Sequence, residues 1–483
     1  MLRSHTCNEL IAWNIGETVK LSGWVSNRRD HGGIIFIDLR DRYGITQVVF
    51  DPEDDKTSWE TANNFRSEYV ITIEWNVRQR PEWQANKKLK TGEIEIIVKS
   101  VVLVSKSKTP PFELDEHGEL SNEEIRYKHR YIDLRRRKAL ENMQFRSKFL
   151  NYTRNWFTSR DFLDVQTPIF TVSSPEWARD FIIPSRLHPG KFYALPQAPQ
   201  QYKQLLMVGW VDKYFQVAPC FRDEDPRADR HACEFYQIDC EMSFVEQEDI
   251  FDVVENYLTD TVKDLTEKTI KDQVFYRMTY EEAMENYGTD KPDLRFAMKF
   301  VDLTDVYKES EFAVFKSVVA GWWVVKAIKL ENQSISRKWI DKLTKIAQKA
   351  WAKWLAYIIY DDNEEWWKKS PILKFMWDAE ISEMEARVKP KNWDIVFFSA
   401  NDFDKAVSIL NVVRLALRDQ FDLADKNELS FCWVTDFPMF EENEITWKID
   451  FAHNPFSMPK WWVEACQNED LLSIKYVQYD LSC

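Results

Sequence analysis

The sequence predicts an α+β protein: an N-terminal closed barrel of five strands, a larger region that mixes strands with helices, and an α/β domain inserted into that region. Three observations predict it. Short β-branched runs alternate with turns up to about Ser105, a proline-marked polar stretch follows, and from about Pro292 to Ala424 the composition shifts towards Lys, Trp and simple helical patterns.

Residues 1–105 hold the runs TVKLSGWVSNRR, GIIFIDLRD, ITQVVF, YVITIEWNVRQR and IEIIVKSVVLVS, each read as one strand, with one short intervening helix. A barrel of this size is the oligonucleotide-binding (OB) fold, which uses basic and aromatic side chains on one face to hold unstacked bases. Residues 106–135 read as a linker, with Pro110-Pro111 and a polar stretch to Glu124 ahead of the helical SNEEIRYKHRYIDLRRRKAL. The second domain then spans 136–291 and resumes over 425–483, with 292–424 inserted between its halves. Within it Phe145, Phe149, Tyr152 and Trp156 recur at helical spacing and read as a core stripe, and Thr167-Pro168 fixes a turn.

With 483 residues, 44% hydrophobic and 30% charged, the chain is long enough for several cores. It has no apolar run on the order of eighteen residues, and its first residues lack the apolar core of a secretory signal, so a cytoplasmic protein with no membrane partner is expected. Seven cysteines without a CxxC pair read as reduced thiols. The tightest group, Cys220, His231, Cys233 and Cys240, has a spacing that fits no common zinc motif. A formal charge of −14 excludes indiscriminate nucleic-acid binding and leaves local basic patches to meet any RNA. Arg28-Arg29 with Arg40 and Arg42, and the run Arg135-Arg136-Arg137-Lys138, are two such patches; each also fits a solvated charged face.

Eleven glycines and 21 tryptophans are an abnormal pair of counts. A usual glycine share of ~7% would give roughly 34, close to the sum of the two. Trp75 and Trp83 flank a strand-turn segment, Trp322-Trp323 follow Gly321, and Trp461-Trp462 follow Pro459-Lys460, all places where a turn favours glycine. Many of these tryptophans are expected to stand where a glycine belongs, as when UGA encodes glycine and is translated as tryptophan.

From Pro175 to Ser243 charged residues crowd onto strand-like runs. FRDED (Phe221–Asp225) and EFYQIDCEMS read as two strands joined by a loop, carrying one arginine among alternating acids. Arg222 can neutralise phosphate charge in a transition state, and the acids can meet a purine or Mg²⁺. Taken alone, the same cluster also fits a surface ion-pair network.

In its wider text the segment resembles motif 2 of class II aminoacyl-tRNA synthetases, and the flanking sequence resembles the aspartate-specific family of the bacterial type. SSPEWARDFIIPSRLHPGKFYALPQAPQQYKQLLMVGW (Ser173–Trp210) is similar to that family's aspartate pocket, with Trp at 177 and 210 where the family has glycine. RDHGGIIFIDLRDRYGITQVVFDP, YGTDKPDLR, FCWVTDFPMF and HNPFSMP fit the same family, and Trp351 and Trp354 bracket Ala-Lys where the family reads GAKG. The resemblance implies a class II antiparallel-sheet catalytic domain, with ATP as a substrate and Mg²⁺ as its ion. It implies that Glu176, Gln200, Lys203, Asp239 and His453 hold L-aspartate, with Arg222 bridging it to ATP. Arg222 and Glu224 are implied to grip ATP, Asp223 and His231 to belong to the same ATP segment, and Phe235 to lie under the adenine. In the barrel, Arg28, Phe36, Gln47 and Arg78 match anticodon-facing positions, although Phe36 as barrel core stays open on the pattern alone. Thr167-Pro168 resembles motif 1, which in the family builds a homodimer. His31, followed by Gly32-Gly33, and a glycine-like position at Trp83 resemble the form that charges both tRNA(Asp) and tRNA(Asn).

Asp480 matches the first of two Mg²⁺-binding acids in a strand that, in the family, leads on to a second acid, a substrate arginine and motif 3. Those are not in the sequence, so a C-terminally truncated chain that does not activate aspartate measurably is expected. Two other readings compete: a non-catalytic tRNA-binding relative, and a class II enzyme for asparagine or lysine. The intact pocket pattern opposes the first, and LPQAPQQYKQ with the insertion opposes the second.

Overall fold

The computed structural model describes residues 2–114, 120–173, 178–225, 232–308, 310, 321, 323–361, 368–443, 447–452, 457–461, 464, 466–467 and 470–483. It divides into two compact units, Met1–Leu150 and Asn151–Cys483.

The first unit is built on β1 (Thr18–His31), β2 (Ile34–Arg40), β3 (Ile45–Phe50), α1 (Lys56–Ala62), β4 (Val70–Gln79), β5 (Ile94–Ile97) and β6 (Ser100–Ser105). Hydrogen bonding runs β1-β2-β3-β5-β4, and β4 returns to pair with β1, which closes a barrel; β6 lies along β4. Strand alternation decides its inside. Ile35, Ile37 and Leu39 of β2 are buried, whereas Phe36 and Asp38 between them are half-buried on the other face. Phe36 is therefore outside the barrel core, which gathers Val19, Leu21, Val25, Ile71, Ile73 and Ile96. Gly32 and Gly33 join β1 to β2 with φ of 61° and 87°, the two-residue turn whose twist suits a hairpin.

Three expectations need correction. The run IEIIVKSVVLVS is interrupted at Val98-Lys99 into two strands that follow each other in one direction along β4, β5 against Val77–Gln79 and also beside β3, β6 against Val70–Glu74. Phe145 is not core: it is 48% exposed on α2 (Arg137–Thr158), its ring lying parallel to Phe149, and only the end of that helix reaches an apolar cluster, through Trp156 and Phe157. Trp75 is not at a turn but mid-strand in β4, opposite Val19.

In the second unit come β7 (Leu163–Asp164), α3 (Gln200–Val208), β8 (Lys213–Phe221), β9 (Glu234–Met242), α4 (Gln247–Leu265), β10 (Tyr276–Thr279) and α5 (Tyr280–Tyr287). β8 pairs antiparallel with β9 over its whole length and parallel with β7.

The insertion carries β11 (Val301–Asp302), β12 (Val324–Leu330), α6 (Arg337–Lys349), β13 (Ala356–Tyr360), β14 (Lys368–Lys369), α7 (Asp378–Val388), β15 (Ile395–Asn401) and α8 (Phe403–Phe421). Its strands form one antiparallel sheet in the order β11-β12-β15-β13-β14. Alternate residues of β15 feed opposite layers: Val396 and Phe398 pack with Met384 of α7, while Ile395 and Phe397 pack with Leu343 of α6 and Leu410 and Val413 of α8. Helices thus cover both faces. Beyond it, β16 (Cys432–Thr435) pairs parallel with β10 and antiparallel with β17 (Tyr479–Ser482).

Among the described residues, five tryptophans, Trp210, Trp351, Trp393, Trp447 and Trp461, have φ between 54° and 71°, in the left-handed region. Trp177, Trp322, Trp366, Trp367 and Trp462 lie outside the described residues.

Candidate active site

The hairpin β8–β9 places the chemistry. Cys220 stands opposite Phe235 and Gln216 opposite Asp239, so Phe235, Gln237, Asp239 and Glu241 share one face of β9. Four residues of strand separate Phe235 from Asp239, about 13 Å. An aromatic ring and a pair of acids are thereby held a nucleotide's length apart on one rigid element.

At the acidic end, α3 delivers Lys203. Its Nζ donates to Asp239 Oδ1 at 2.9 Å and lies 3.2 Å from Glu241 Oε2. Burial works against the ammonium charge, but the Asp239 and Glu241 carboxylates outweigh it and hold the lysine pKa above its ordinary value. Asp239 Oδ2 is buried, with the buried Tyr214 side chain close enough to feel the Asp239 charge. Gln200 starts α3, one helical turn before Lys203, so the two share a helix face. Burial first, then Asp239, pushes the neighbouring Cys240 thiol up to about 11, which leaves it protonated and unreactive.

At the aromatic end the Arg222 guanidinium carbon sits 5.1 Å from the Phe235 ring centroid. Arg222 N donates to Cys233 O at 2.8 Å, closing the base of the loop between the strands. Asp223 is tied to a preceding segment: its N–H donates to Arg179 O at 2.9 Å, and Arg179 Nε donates to Asp223 O at 3.1 Å. Glu224 follows in the same loop and is half-buried.

Two glutamines support this arrangement that the sequence reading missed. Gln197, 1% exposed, donates from Nε2 to Ala178 O and accepts from Ala178 N, which pins the chain just past position 177. Gln216, 2% exposed, donates to Thr167 Oγ1 at 2.8 Å and accepts from Thr167 N, so the Thr167-Pro168 turn hangs on β8. A lone glutamine in a polar stretch carries no periodic signal; Gln216 could have been noticed as the polar residue inside the apolar run KYFQVAPCF.

Asp480 lies on β17 opposite Val434, with Lys291 Nζ 3.7 Å away. Among the described residues no group of three or more metal-ligating side chains gathers. One carboxylate facing an ammonium does not fit a resident Mg²⁺ site. Glu176, His231 and His453 lie outside the described residues. All seven cysteines are free.

On the barrel, the outer face gathers Phe36, Gln47 and Arg78. Gln47 Nε2 donates to Glu95 Oε2 at 2.8 Å, Arg78 Nε donates to Glu95 Oε1 at 2.7 Å, and Arg29, paired opposite Phe36, reaches Asp38 at 2.8 Å. Arg28 points elsewhere: its Nη2 donates to Asn63 Oδ1 at 2.8 Å at the end of α1. His31 is exposed at the end of β1, and Trp83 is 82% exposed in a separate short turn, Glu82–Gln84. The second basic run is largely neutralised within its unit, Arg135 by Glu68, Arg136 by Asp133 and Arg137 by Glu141.

The class II tRNA synthetase family (D, K and N) matches residues 122–483, and the OB-fold nucleic acid binding domain matches residues 19–104. The chain is 45% identical to the aspartate–tRNA(Asp/Asn) ligase of Rickettsia bellii (strain OSU 85-389) over 486 residues, all of this chain and 80% of that one. Identity to the ligase of the same name from Rickettsia prowazekii (strain Madrid E) is 46% with the same coverage. Among solved structures, asparaginyl-tRNA synthetase from Pyrococcus horikoshii in complex with asparaginyl-adenylate aligns over 86% of this chain and 97% of that one, with a TM-score of 0.52 at 18% identity, a likeness of fold. No helix among the described residues is long and apolar enough to cross a membrane.

Proposed function

The chain belongs to the class II tRNA synthetases, and from that premise we propose that it is an ATP-dependent aspartate–tRNA ligase acting on tRNA(Asp) and tRNA(Asn) in the cytoplasm. The observation that carries the reading is the single face of β9, with Phe235 at one end and the Lys203–Asp239–Glu241 group at the other. Lys203 meets the side-chain carboxylate of L-aspartate, and Asp239 meets its ammonium group. Phe235 stacks the adenine of ATP, which arrives as its Mg²⁺ complex, and Arg222 holds the α-phosphate.

The chemistry is two displacements. An oxygen of the substrate α-carboxylate attacks the α-phosphorus of ATP, the bond to the β-phosphate bridging oxygen breaks, and pyrophosphate leaves from aspartyl-adenylate. The ribose hydroxyl of the tRNA's terminal adenosine then attacks the carbonyl carbon, loses its proton to solvent, and expels AMP. Neither step uses a protein nucleophile; placement and charge neutralisation by Arg222 supply the acceleration. The barrel face with Phe36, Gln47 and Arg78 takes the anticodon, and the Thr167-Pro168 turn contributes to a homodimer interface.

Equilibrium dialysis with L-aspartate, L-asparagine, L-lysine and a non-hydrolysable aspartyl-adenylate analogue tests the substrate. Retention of aspartate and its adenylate analogue alone is expected; equal retention of asparagine or lysine overturns the assignment. Filter binding of the two tRNA transcripts tests the partners, with comparable affinities expected. Sedimentation velocity reads the dimer.

A further inference from the structure

Arg414, in the middle of α8, is fully buried, yet among the described residues no carboxylate pairs with it. Its Nε donates to Met298 O at 3.1 Å, and its Nη2 donates to Asp293 O at 2.8 Å and Phe296 O at 3.1 Å. The guanidinium carbon lies 3.8 Å from the Phe296 ring centroid and 5.1 Å from that of Tyr287. A buried cation is expensive, and its Nη1 finds no acceptor among the described residues, whereas a leucine would fill the same helix face without that cost. The charge therefore has a task that packing does not explain: it collects the carbonyls of an irregular segment, 293–298, that no sheet or helix satisfies.

Two further contacts lock that segment to α8. Arg418 Nη1 lies 3.1 Å from Asp293 Oδ2, while Arg295 grips the same carboxylate at 2.8 and 2.9 Å. Gly288 ends α5 in the left-handed conformation, and a Cβ there would come within 2.3 Å of Val407 O, so the backbones of the turn and of α8 are in direct contact. The other side of the turn meets the strand that carries Asp480. Ser482 Oγ donates to Pro292 O at 3.5 Å, and Lys291 Nζ lies 3.7 Å from Asp480 Oδ2, with both side chains open to solvent in part.

We propose that Arg414 is a positioning residue for the nucleotide half of the site: through it the inserted domain holds the turn 288–295 so that Lys291 stands beside Asp480, where the Mg²⁺-complexed triphosphate of an incoming ATP meets both. The proposal rests on the reading that Asp480 belongs to the ATP side. The inserted domain is then a buttress of the catalytic half rather than an independent appendage.

The test measures ATP and L-aspartate dissociation constants, thermal midpoints and amide hydrogen exchange of 289–295 for the wild type and for Arg414→Met, Arg414→Lys, Lys291→Met and Asp480→Asn. Arg414→Met is expected to weaken ATP binding about tenfold, the scale of one charge-assisted contact, with aspartate binding held within about twofold. Exchange of 289–295 quickens, and Arg414→Lys recovers part of the loss. Faster exchange with unchanged ATP affinity overturns the proposal. Should Arg414→Met fail to fold, a Lys291→Met/Asp480→Asn double-mutant cycle on ATP binding decides: coupling supports it, additivity overturns it. Wild-type ATP affinity in Asp480→Asn removes Asp480 from the ATP side and overturns the reading and the proposal together.

A different observation carries a second inference. Trp210 and Trp351 follow α3 and α6 at the left-handed position that closes a helix, with Val211 N donating to Leu206 O at 3.0 Å and Ala352 N to Ala347 O at 3.1 Å. Glycine is the usual residue there, because a Cβ disfavours φ > 0. These indoles are 92% and 80% exposed, and those of Trp447 and Trp461 are 81% and 67% exposed. By contrast Trp156 and Trp433 are buried and donate from Nε1 to Asp260 and Glu255 at 2.8 Å. We infer that positions 210, 351, 393, 447 and 461 are glycine in the protein as its own cells make it, encoded by UGA. Mass spectrometry of peptides from those cells is expected to read glycine at 210 and 351 and tryptophan at 156 and 433; tryptophan at 210 and 351 overturns it.

Discussion

Lys203 and Asp239 meet at 2.9 Å across the gap between α3 and β9, each with less than a sixth of its side chain exposed, and Glu241 completes the group at 3.2 Å. Two carboxylates around one ammonium leave a net negative pocket, and a substrate carboxylate that binds the lysine must compete with them. A substrate that also brings an ammonium group restores the balance. On the proposed function, this arrangement would favour an amino acid with an acidic side chain over a plain dicarboxylate. Lys203→Met is expected to weaken L-aspartate binding about 10- to 100-fold, the worth of a hydrogen bond to a charged group, and to leave ATP binding unchanged, as read by equilibrium dialysis.

Phe235 and Arg222 form the opposite end, 5.1 Å apart from ring to guanidinium. Phe235→Leu keeps an apolar residue on the strand but removes the flat ring. ATP affinity is expected to fall by about 0.5–1.5 kcal/mol, with aspartate affinity unaffected, because the two ends of β9 do not touch. Isothermal titration with each ligand separates the two effects.

The barrel offers a cleaner separation of binding from stability. Phe36 alternates with buried Ile35 and Ile37 and lies outside the core, so Phe36→Ala should leave the unfolding midpoint nearly unchanged. Loss of a stacking platform costs about 1–3 kcal/mol per base, and tRNA affinity in filter binding is expected to fall accordingly. Ile37→Ala should do the reverse, destabilising the barrel by about 2–5 kcal/mol.

How far such sites were legible depended on whether a residue's neighbours in sequence are also its neighbours in space. β2 and β8–β9 announce themselves because alternation is a local property, and the pairing of Phe235 with Asp239 on one face follows from counting by twos. The division of IEIIVKSVVLVS was hidden because the interruption at Val98-Lys99 keeps the strand direction and carries no Gly or Pro. Gln197 and Gln216 act on Ala178 and Thr167, 19 and 49 positions away, and nothing local marks them. Arg414 left a trace: it falls four residues after Leu410 and three before Leu417, on the apolar face of α8, where a cation needs a reason.

Acid should undo the contacts around Asp293 in a defined window. Burial would raise its pKa, but hydrogen bonds from Arg295 and Arg418 overcome this and lower it from 3.8 to about 2. A depressed folded-state pKa means the carboxylate stabilises the fold fully above about pH 4 and loses that contribution as pH falls through about 2. The difference is worth about 2 kcal/mol. Asp293→Asn is therefore expected to be less stable than the wild type by that amount at neutral pH in urea unfolding, with the gap closing between pH 4 and 2.

Left-handed backbone at an indole carries its own penalty, and its removal is a stability measurement that needs no substrate. Trp351 has φ of 71° and is 80% exposed after α6, so its ring gains little from burial while its Cβ crowds the backbone. A left-handed conformation costs an L-residue about 1–2 kcal/mol, and glycine escapes that cost while losing more chain entropy on folding. Trp351→Gly is therefore expected to stabilise the second unit by about 1 kcal/mol, seen as a higher urea midpoint at unchanged slope. Trp156→Gly is the contrasting substitution: its indole is buried, donates to Asp260 and packs edge-on against Phe157 and Tyr257. Loss of that ring should cost about 3–5 kcal/mol, with the glycine in a helix interior adding about 1 more. Opposite signs at the two positions follow from backbone conformation and burial alone; destabilisation by Trp351→Gly would overturn the assignment of a net penalty to the indole.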